Sequence, residues 1–294
     1  MDITADRWKD YEILDAGNGM KLERWKDVIL SRPDPQAIWK PVRPELWRRA
    51  DAKYSRSRSG GGSWSFYKTL PPKWTVQYDS LKFYVEPTGF KHTGLFPEQA
   101  ANWDWMRAMI SRRAAAGGRV KVLNLFGYTG GATAAVSEAG AEVCHVDASK
   151  GMVARARENA ELSGLSGNRI RYIVDDAFKF VARELRRGNT YDAVIMDPPS
   201  YGRGPGGEVW KLEDSLFDFA GECVRLLGKQ PLFLLLNSYT TGFSSSVTAN
   251  ILRIHFKAFP ARGRIDHGDV LLPIRSMEGT CLPCGSYAAW KSDE

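Results

Sequence analysis

The sequence predicts an α/β fold: a mainly parallel sheet with an antiparallel C-terminal hairpin, preceded by a small β-rich N-terminal domain. Three observations carry that expectation. From residue 120 onward, short apolar runs alternate with stretches of helical length, the pattern of strands buried on both faces and joined by crossover helices. Two of those runs end in an acid, at Asp147 and Asp197. Before residue 119 the runs are shorter and aromatic, and turn signals separate them as in a β-meander.

Within residues 1–90, strands are expected near 13–14, 64–67, 76–78 and 83–85. Gly94 and Pro97 then mark a turn, and 98–113 reads as a helix opening the second domain, residues 91–294. In that domain strands are expected at 120–125, 143–146, 170–174, 191–196 and 232–236. Helices are expected from near Gly131 and at 150–162, 177–187, 212–227 and 246–256. Residues 269–272 and 287–290 would form the closing hairpin. No internal repeat or coiled-coil heptad is visible.

The turn after the first parallel strand reads Asn124-Leu-Phe-Gly-Tyr-Thr-Gly-Gly131. Gly127, Gly130 and Gly131 permit a tight turn and close approach of a ligand to the backbone. A helix starting there aims free N–H groups and its positive dipole end at whatever sits above. Asp147 lies where doubly wound nucleotide-binding folds place an acid against the ribose hydroxyls, so an adenosine-containing ligand is expected. The dinucleotide fingerprint G-x-G-x-x-G is absent, and Phe126, Tyr128 and Thr129 occupy places where a pyrophosphate needs bare backbone. S-adenosylmethionine has no phosphate and tolerates them. Taken alone, the glycines also suit an ordinary βα connection; the acids at later strand ends weigh against that.

Asp197-Pro-Pro-Ser-Tyr201 is the candidate reaction site. Two prolines fix φ and remove two donors, so carbonyls at the strand end are expected to face outward as rigid acceptors. The Asp197 carboxylate beside the Pro198 carbonyl would hold an amino group, and Tyr201 would offer an aromatic face to an unstacked base, worth about 1 to 3 kcal/mol. Ser200 intervenes before the aromatic, and the acceptor atom stays open.

These segments, with Val146-Asp-Ala-Ser149, Ala156-Arg-Glu-Asn159, Asp175-Asp-Ala-Phe178 and Met196-Asp-Pro-Pro-Ser-Tyr-Gly202, resemble the class I, seven-stranded, Rossmann-like S-adenosylmethionine-dependent methyltransferases. They are similar to the bacterial branch containing the 23S rRNA large-subunit methyltransferases, over residues 91–290. The resemblance implies S-adenosylmethionine as cofactor, S-adenosylhomocysteine as product and RNA, most naturally rRNA, as acceptor. It implies that Asn124, Phe126, Tyr128, Thr129, Gly130 and Gly131 cradle the methionine part, Asp147, Ala148 and Ser149 the ribose, and Asp176 and Ala177 the adenine, with Asp197 also touching the cofactor. Lys91, Thr93, Gly94 and Gln99 would close over the methionine end. Bottom-up, Asp176 is equally a helix N-cap. A protein or small-molecule acceptor stays open, as does an RNA-binding protein that keeps the pocket without catalysis.

Cytosine-C5 chemistry needs a thiolate. Similar proteins with that chemistry place the cysteine just after the fifth strand; none follows the strand at 232–236 here, which disfavours it and leaves only Cys281 or Cys284 open as a nucleophile. The Cys281-x-x-Cys284 pair lacks further ligands, so two ordinary thiols and no metal are expected. Four cysteines, no signal peptide and no long apolar run point to a reduced, soluble, cytoplasmic protein.

Charge is uneven. Residues 1–118 carry 20 Lys and Arg against 14 Asp and Glu, nearly all of the net +7, and eight of the ten tryptophans. Arg48, Arg49, Lys53, Arg56 and Arg58 flank Ser59-Gly-Gly-Gly-Ser-Trp64, a composition that suits phosphates and unstacked bases. The tryptophans fit the core of the small domain equally well. Arg203, Gly204, Gly206, Gly207, Glu208 and Trp210 read as a glycine-rich substrate lid whose arginine and tryptophan reach the nucleotide.

Overall fold

The computed structural model describes residues 1–57, 61–89, 91–203, 209–240 and 242–293. Arg58, Ser59, Gly60, Gly204, Gly206, Gly207 and Glu208, which belong to segments quoted in the expectations above, lie outside the described residues, as does the side chain of Arg203. The chain forms two compact units. One comprises residues 1–3, 102–269 and 285–294, the other residues 4–101 and 270–284. These units do not coincide with a cut at residue 90, since 91–101 and 270–284 go with the N-terminal unit.

After a two-residue strand β1 (Ile3–Thr4), the N-terminal unit contains β2 (Tyr11–Gly17), β3 (Met20–Trp25), β4 (Val28–Pro33), β5 (Ala52–Arg56) and β6 (Gly62–Phe66) in one sheet in that order. Strands β7 (Trp74–Tyr78) and β8 (Leu81–Val85) form a separate hairpin. Strands β3, β4 and β5 are absent from the sequence expectation. The signal for β2–β3 was present: Asn18 and Gly19 both have positive φ, +53° and +73°, as a two-residue Asn-Gly hairpin loop requires. Mixed polarity hid the strands themselves, because β3 reads MKLERW and buries Leu22, Glu23 and Trp25 together.

Glu23 is buried because it is answered on all sides. Arg32 donates to both its oxygens (2.6 and 2.9 Å) and Tyr11 donates to Oε1 at 2.7 Å. Those partners hold the Glu23 carboxyl down at about 2 despite burial. The indole N–H groups of Trp39, Trp47, Trp64 and Trp74 donate to Ala16 O, Asp15 Oδ2, Thr88 O and Trp25 O, so these tryptophans are tied into the frame of the unit.

The larger unit is the expected α/β layer structure. A short 3-10 turn, Pro97–Gln99, precedes α1 (Ala100–Ala115), which therefore starts two residues later than expected. Then follow β9 (Lys121–Leu125), α2 (Gly131–Glu138), β10 (Glu142–Asp147), α3 (Lys150–Leu162), β11 (Ile170–Val174), α4 (Ala177–Arg187) and β12 (Ala193–Met196). The segment expected to be an irregular lid instead contributes an antiparallel ribbon, β13 (Tyr201–Arg203) with β14 (Val209–Lys211). The chain closes with α5 (Leu212–Arg225), β15 (Phe233–Ser238), α6 (Ser245–Phe256), β16 (Gly263–Pro273) and β17 (Cys281–Ser292). The last hairpin is longer than the alternating apolar positions suggested.

The sheet order is β1-β16-β17-β15-β12-β9-β10-β11, seven substantial strands plus the short β1. Strands β11, β10, β9, β12 and β15 pair in parallel, while β17 runs antiparallel to β15. The order reverses between β9 and β12. Ligands of open parallel sheets bind at the carboxyl ends of the strands flanking such a reversal. Leu123, Leu125, Val194, Met196, Leu234 and Leu236 pack with Phe180, Phe219 and Trp290 in the core that fixes these strands. Among the described residues no helix is long and apolar enough to cross a membrane.

Candidate functional site

Register brings the expected site together. Leu125 pairs with Met196 and with Val146, so Phe126, Asp197 and Asp147 leave the sheet side by side at its carboxyl edge. Asp147 itself pairs with Val174, and the Asp175 amide donates to the Asp147 carbonyl at 3.1 Å, which carries Asp176 to the same edge.

The turn after β9 is held by protein contacts more than by glycine freedom alone. Phe126 and Tyr128 have φ of +57° and +50°, a left-handed conformation costing each about 1 to 2 kcal/mol. Asp147 offsets part of this: Oδ2 accepts the Tyr128 amide at 2.9 Å and Oδ1 accepts the Ser149 amide at 2.8 Å. Burial raises the Asp147 pKa, and those two amides pull it back. The three glycines answer to packing: a Cβ on Gly127 would lie 2.4 Å from the His145 ring, one on Gly130 2.8 Å from Ala156 and one on Gly131 2.6 Å from Trp103. Gly130, at φ +83°, caps α2.

Asn124 is buried, with Nδ2 donating to Thr133 Oγ1 at 2.8 Å. Its side chain therefore ties the start of the turn to α2. Thr133 Oγ1 also lies 2.9 Å from His145 Nδ1, and burial holds the His145 pKa down at about 4. The buried Thr129 carbonyl accepts Asn159 Nδ2 at 2.8 Å. The sequence does not point to His145, Thr133 and Asn159 as site supports, because the contacts that make them so join segments 9 to 30 residues apart.

Asp176 accepts the Lys179 amide at 3.0 Å as the N-cap of α4, and Ala177 is buried beneath it. Ser149 caps α3 through the Met152 amide, with Ala148 exposed beside it.

At the end of β12, Asp197 is half-buried, Pro198 buried and Tyr201 51% exposed. Trp210 Nε1 donates to the Pro199 carbonyl at 2.5 Å, and the Leu212 amide donates to the Ser200 carbonyl at 3.1 Å. Those two bonds tie the loop after Pro198 to β14 and the start of α5. Trp210 is a core residue, 9% exposed and packed on Phe178 at 4.7 Å, so it braces the loop and does not reach toward a nucleotide. Thr240 Oγ1 donates to Ser200 Oγ at 2.6 Å, tying the loop to the residues after β15.

Lys91, Thr93, Gly94 and Gln99 belong to the N-terminal unit. The Lys91 carbonyl accepts Arg32 Nη1 at 2.7 Å, the buried Thr93 carbonyl accepts the Glu86 amide at 3.0 Å, Gly94 has φ +89°, and the Gln99 amide donates to Phe96 O at 3.1 Å. Burial and neighbouring cations lower the Lys91 pKa.

All four cysteines are free thiols, and burial raises each pKa, Cys144 to about 11. Among the described residues no cluster of His, Cys, Asp and Glu could hold a metal.

The family described as S-adenosylmethionine-dependent methyltransferase matches residues 55–209. The chain is 37% identical over 133 residues (45% of this chain, 32% of the relative) to ribosomal RNA large subunit methyltransferase I of Erwinia tasmaniensis. It is 30% identical over 215 residues (68% and 48%) to the protein of that name from Aeromonas hydrophila. The matched segments span less than half the length of these curated relatives. A crystal structure of an S-adenosylmethionine-dependent methyltransferase from Agrobacterium tumefaciens is 36% identical, with a TM-score of 0.92 over 99% of this chain and 93% of that one.

Proposed function

Because the chain belongs to the S-adenosylmethionine-dependent methyltransferase family, we propose that it methylates a base in RNA, with rRNA the acceptor its curated relatives favour. The observation that carries this reading is the β9–β12 register, which sets the glycine turn and Asp197 beside each other at the reversal of strand order.

The residues fit the cofactor. Two half-buried carboxylates, Asp147 and Asp176, stand at successive strand ends around a turn fixed in left-handed backbone. In this reading the backbone from Asn124 to Gly131, with Phe126, Tyr128, Thr129 and Gly130, holds the methionine part. Asp147, Ala148 and Ser149 receive the ribose, and Asp176 and Ala177 the adenine edge. Lys91, Thr93, Gly94 and Gln99 are assigned to the methionine end. When bound, S-adenosylmethionine supplies an electrophilic methyl group. Asp197 and the Pro198 carbonyl orient the acceptor nitrogen toward that methyl and accept its hydrogens, so the rate gain comes from positioning. Tyr201, half exposed, takes the face of the acceptor base.

We propose a functional division at residue 90, with residues 91–294 catalysing transfer and the basic residues 1–90 contributing to RNA capture. Free thiols throughout suit a reducing, cytoplasmic setting. Incubating the protein with methyl-labelled cofactor, total RNA and total protein tests the acceptor. Label in RNA is expected; label confined to protein or small molecules would overturn the reading.

A further inference from the structure

The N-terminal unit carries a cleft of about 540 Å³ lined by Phe66, Tyr67, Lys68, Leu70, Pro71 and Pro72. Phe66 and Tyr67 are 56% and 61% exposed, the most exposed aromatic side chains among the described residues. Neighbouring large apolar groups left in water mark interaction sites more often than isolated ones do.

The two rings stand on a rigid frame. The amides of Tyr67 and Lys68 both donate to the Asp51 carbonyl, at 2.8 and 3.2 Å, and Lys68 Nζ pairs with Asp51 Oδ1 at 2.5 Å. Phe66 ends the edge strand β6 in register with Ala52, and its ring stacks on Trp64 at 6.3 Å and 27°. Trp64 is itself pinned by its bond to the Thr88 carbonyl at 2.8 Å. The backbone carrying both residues is thus fixed, and their rings are open to solvent.

The surroundings favour one kind of guest. Pro71 and Pro72 add apolar wall without N–H donors beside the polar Lys68 and Thr69. Lys68 is the charged side chain in its lining, its ammonium paired with the buried Asp51 carboxylate and still largely exposed. π faces beside cations are how single-stranded nucleic acid is held without sequence readout.

We propose that this cleft takes an unstacked nucleobase of single-stranded RNA, its ring against Phe66 and Tyr67 and its phosphate toward Lys68. The inference rests on the RNA reading above and adds a capture point on the N-terminal unit.

Fluorescence anisotropy of a labelled, unstructured RNA oligonucleotide with the full-length protein, at several salt concentrations, tests it. Phe66→Ala/Tyr67→Ala should weaken binding about tenfold or more with the salt slope unchanged, because a stacking contact is lost and no phosphate contact. Lys68→Ser should instead lower the slope by about 0.7. The same strand in a perfect duplex should be insensitive to the aromatic changes, since its bases are already stacked. S-adenosylhomocysteine affinity should stay at the wild-type value in both variants, which reports intact folding. If wild type binds the oligonucleotide and the double-alanine variant binds it equally well, the cleft assignment falls and the RNA reading stands. If wild type neither binds RNA nor methylates it, both fall.

Discussion

The backbone amide of Tyr128 donates to Oδ2 of Asp147 at 2.9 Å, joining the strained turn after the first parallel strand to the acid that ends the second. One carboxylate thus holds the turn from one side, and in the proposed reading its remaining lone pairs receive the ribose hydroxyls. Asp147→Ala removes both functions. S-adenosylhomocysteine affinity measured by calorimetry should fall by about 1 to 3 kcal/mol. Unchanged affinity would take Asp147 out of the site.

Trp210 links the aromatic core to the reaction loop through its bond to the Pro199 carbonyl. Trp210→Phe keeps most of the packing on Phe178 and Phe219 but removes the donor, so kcat should drop more than cofactor affinity. Trp210→Ala also opens a cavity and should lower stability by about 3 to 5 kcal/mol. A Phe variant with wild-type turnover would show that the loop holds itself.

His145 provides a pH test. It is fully buried against Gly127, and burial holds its pKa at about 4 instead of the ordinary 6.5. The folded state therefore binds fewer protons than the unfolded state between those values. Its contribution to stability is complete above about pH 6.5 and is lost as pH falls toward 4, by about 3 kcal/mol in all. The imidazole resonance, assigned by comparison with His145→Gln, should show no titration near pH 6.5. A midpoint there would contradict a buried neutral ring.

Much of the larger unit was legible because its strands are apolar on both faces and its helices begin at recognisable caps. Residues 150–162, 170–174 and 177–187 end where the sequence suggests, with Ser149, Asp176 and Gly188 as caps. The N-terminal sheet was less legible. β3 and β5 bury polar residues or alternate with exposed lysine and arginine, and the ion pair that permits Glu23 inside lies nine residues away at Arg32. The ribbon β13–β14 was missed because glycine-rich composition reads as loop, and pairing of Tyr201 with Lys211 is a property of two segments together. At the site, positions were legible but directions were not. Nothing in the order of residues says that Asn124 and Trp210 turn inward while Tyr201 turns out.

In the proposed reading Asp197 acts chiefly on the acceptor, while the neighbouring turn holds most of the cofactor. Single-turnover transfer of labelled methyl to RNA by Asp197→Ala, run beside calorimetric titration of the same variant with S-adenosylhomocysteine, tests it most directly. Transfer should be abolished while cofactor affinity stays within a few-fold of wild type. Full transfer by the variant would contradict the account.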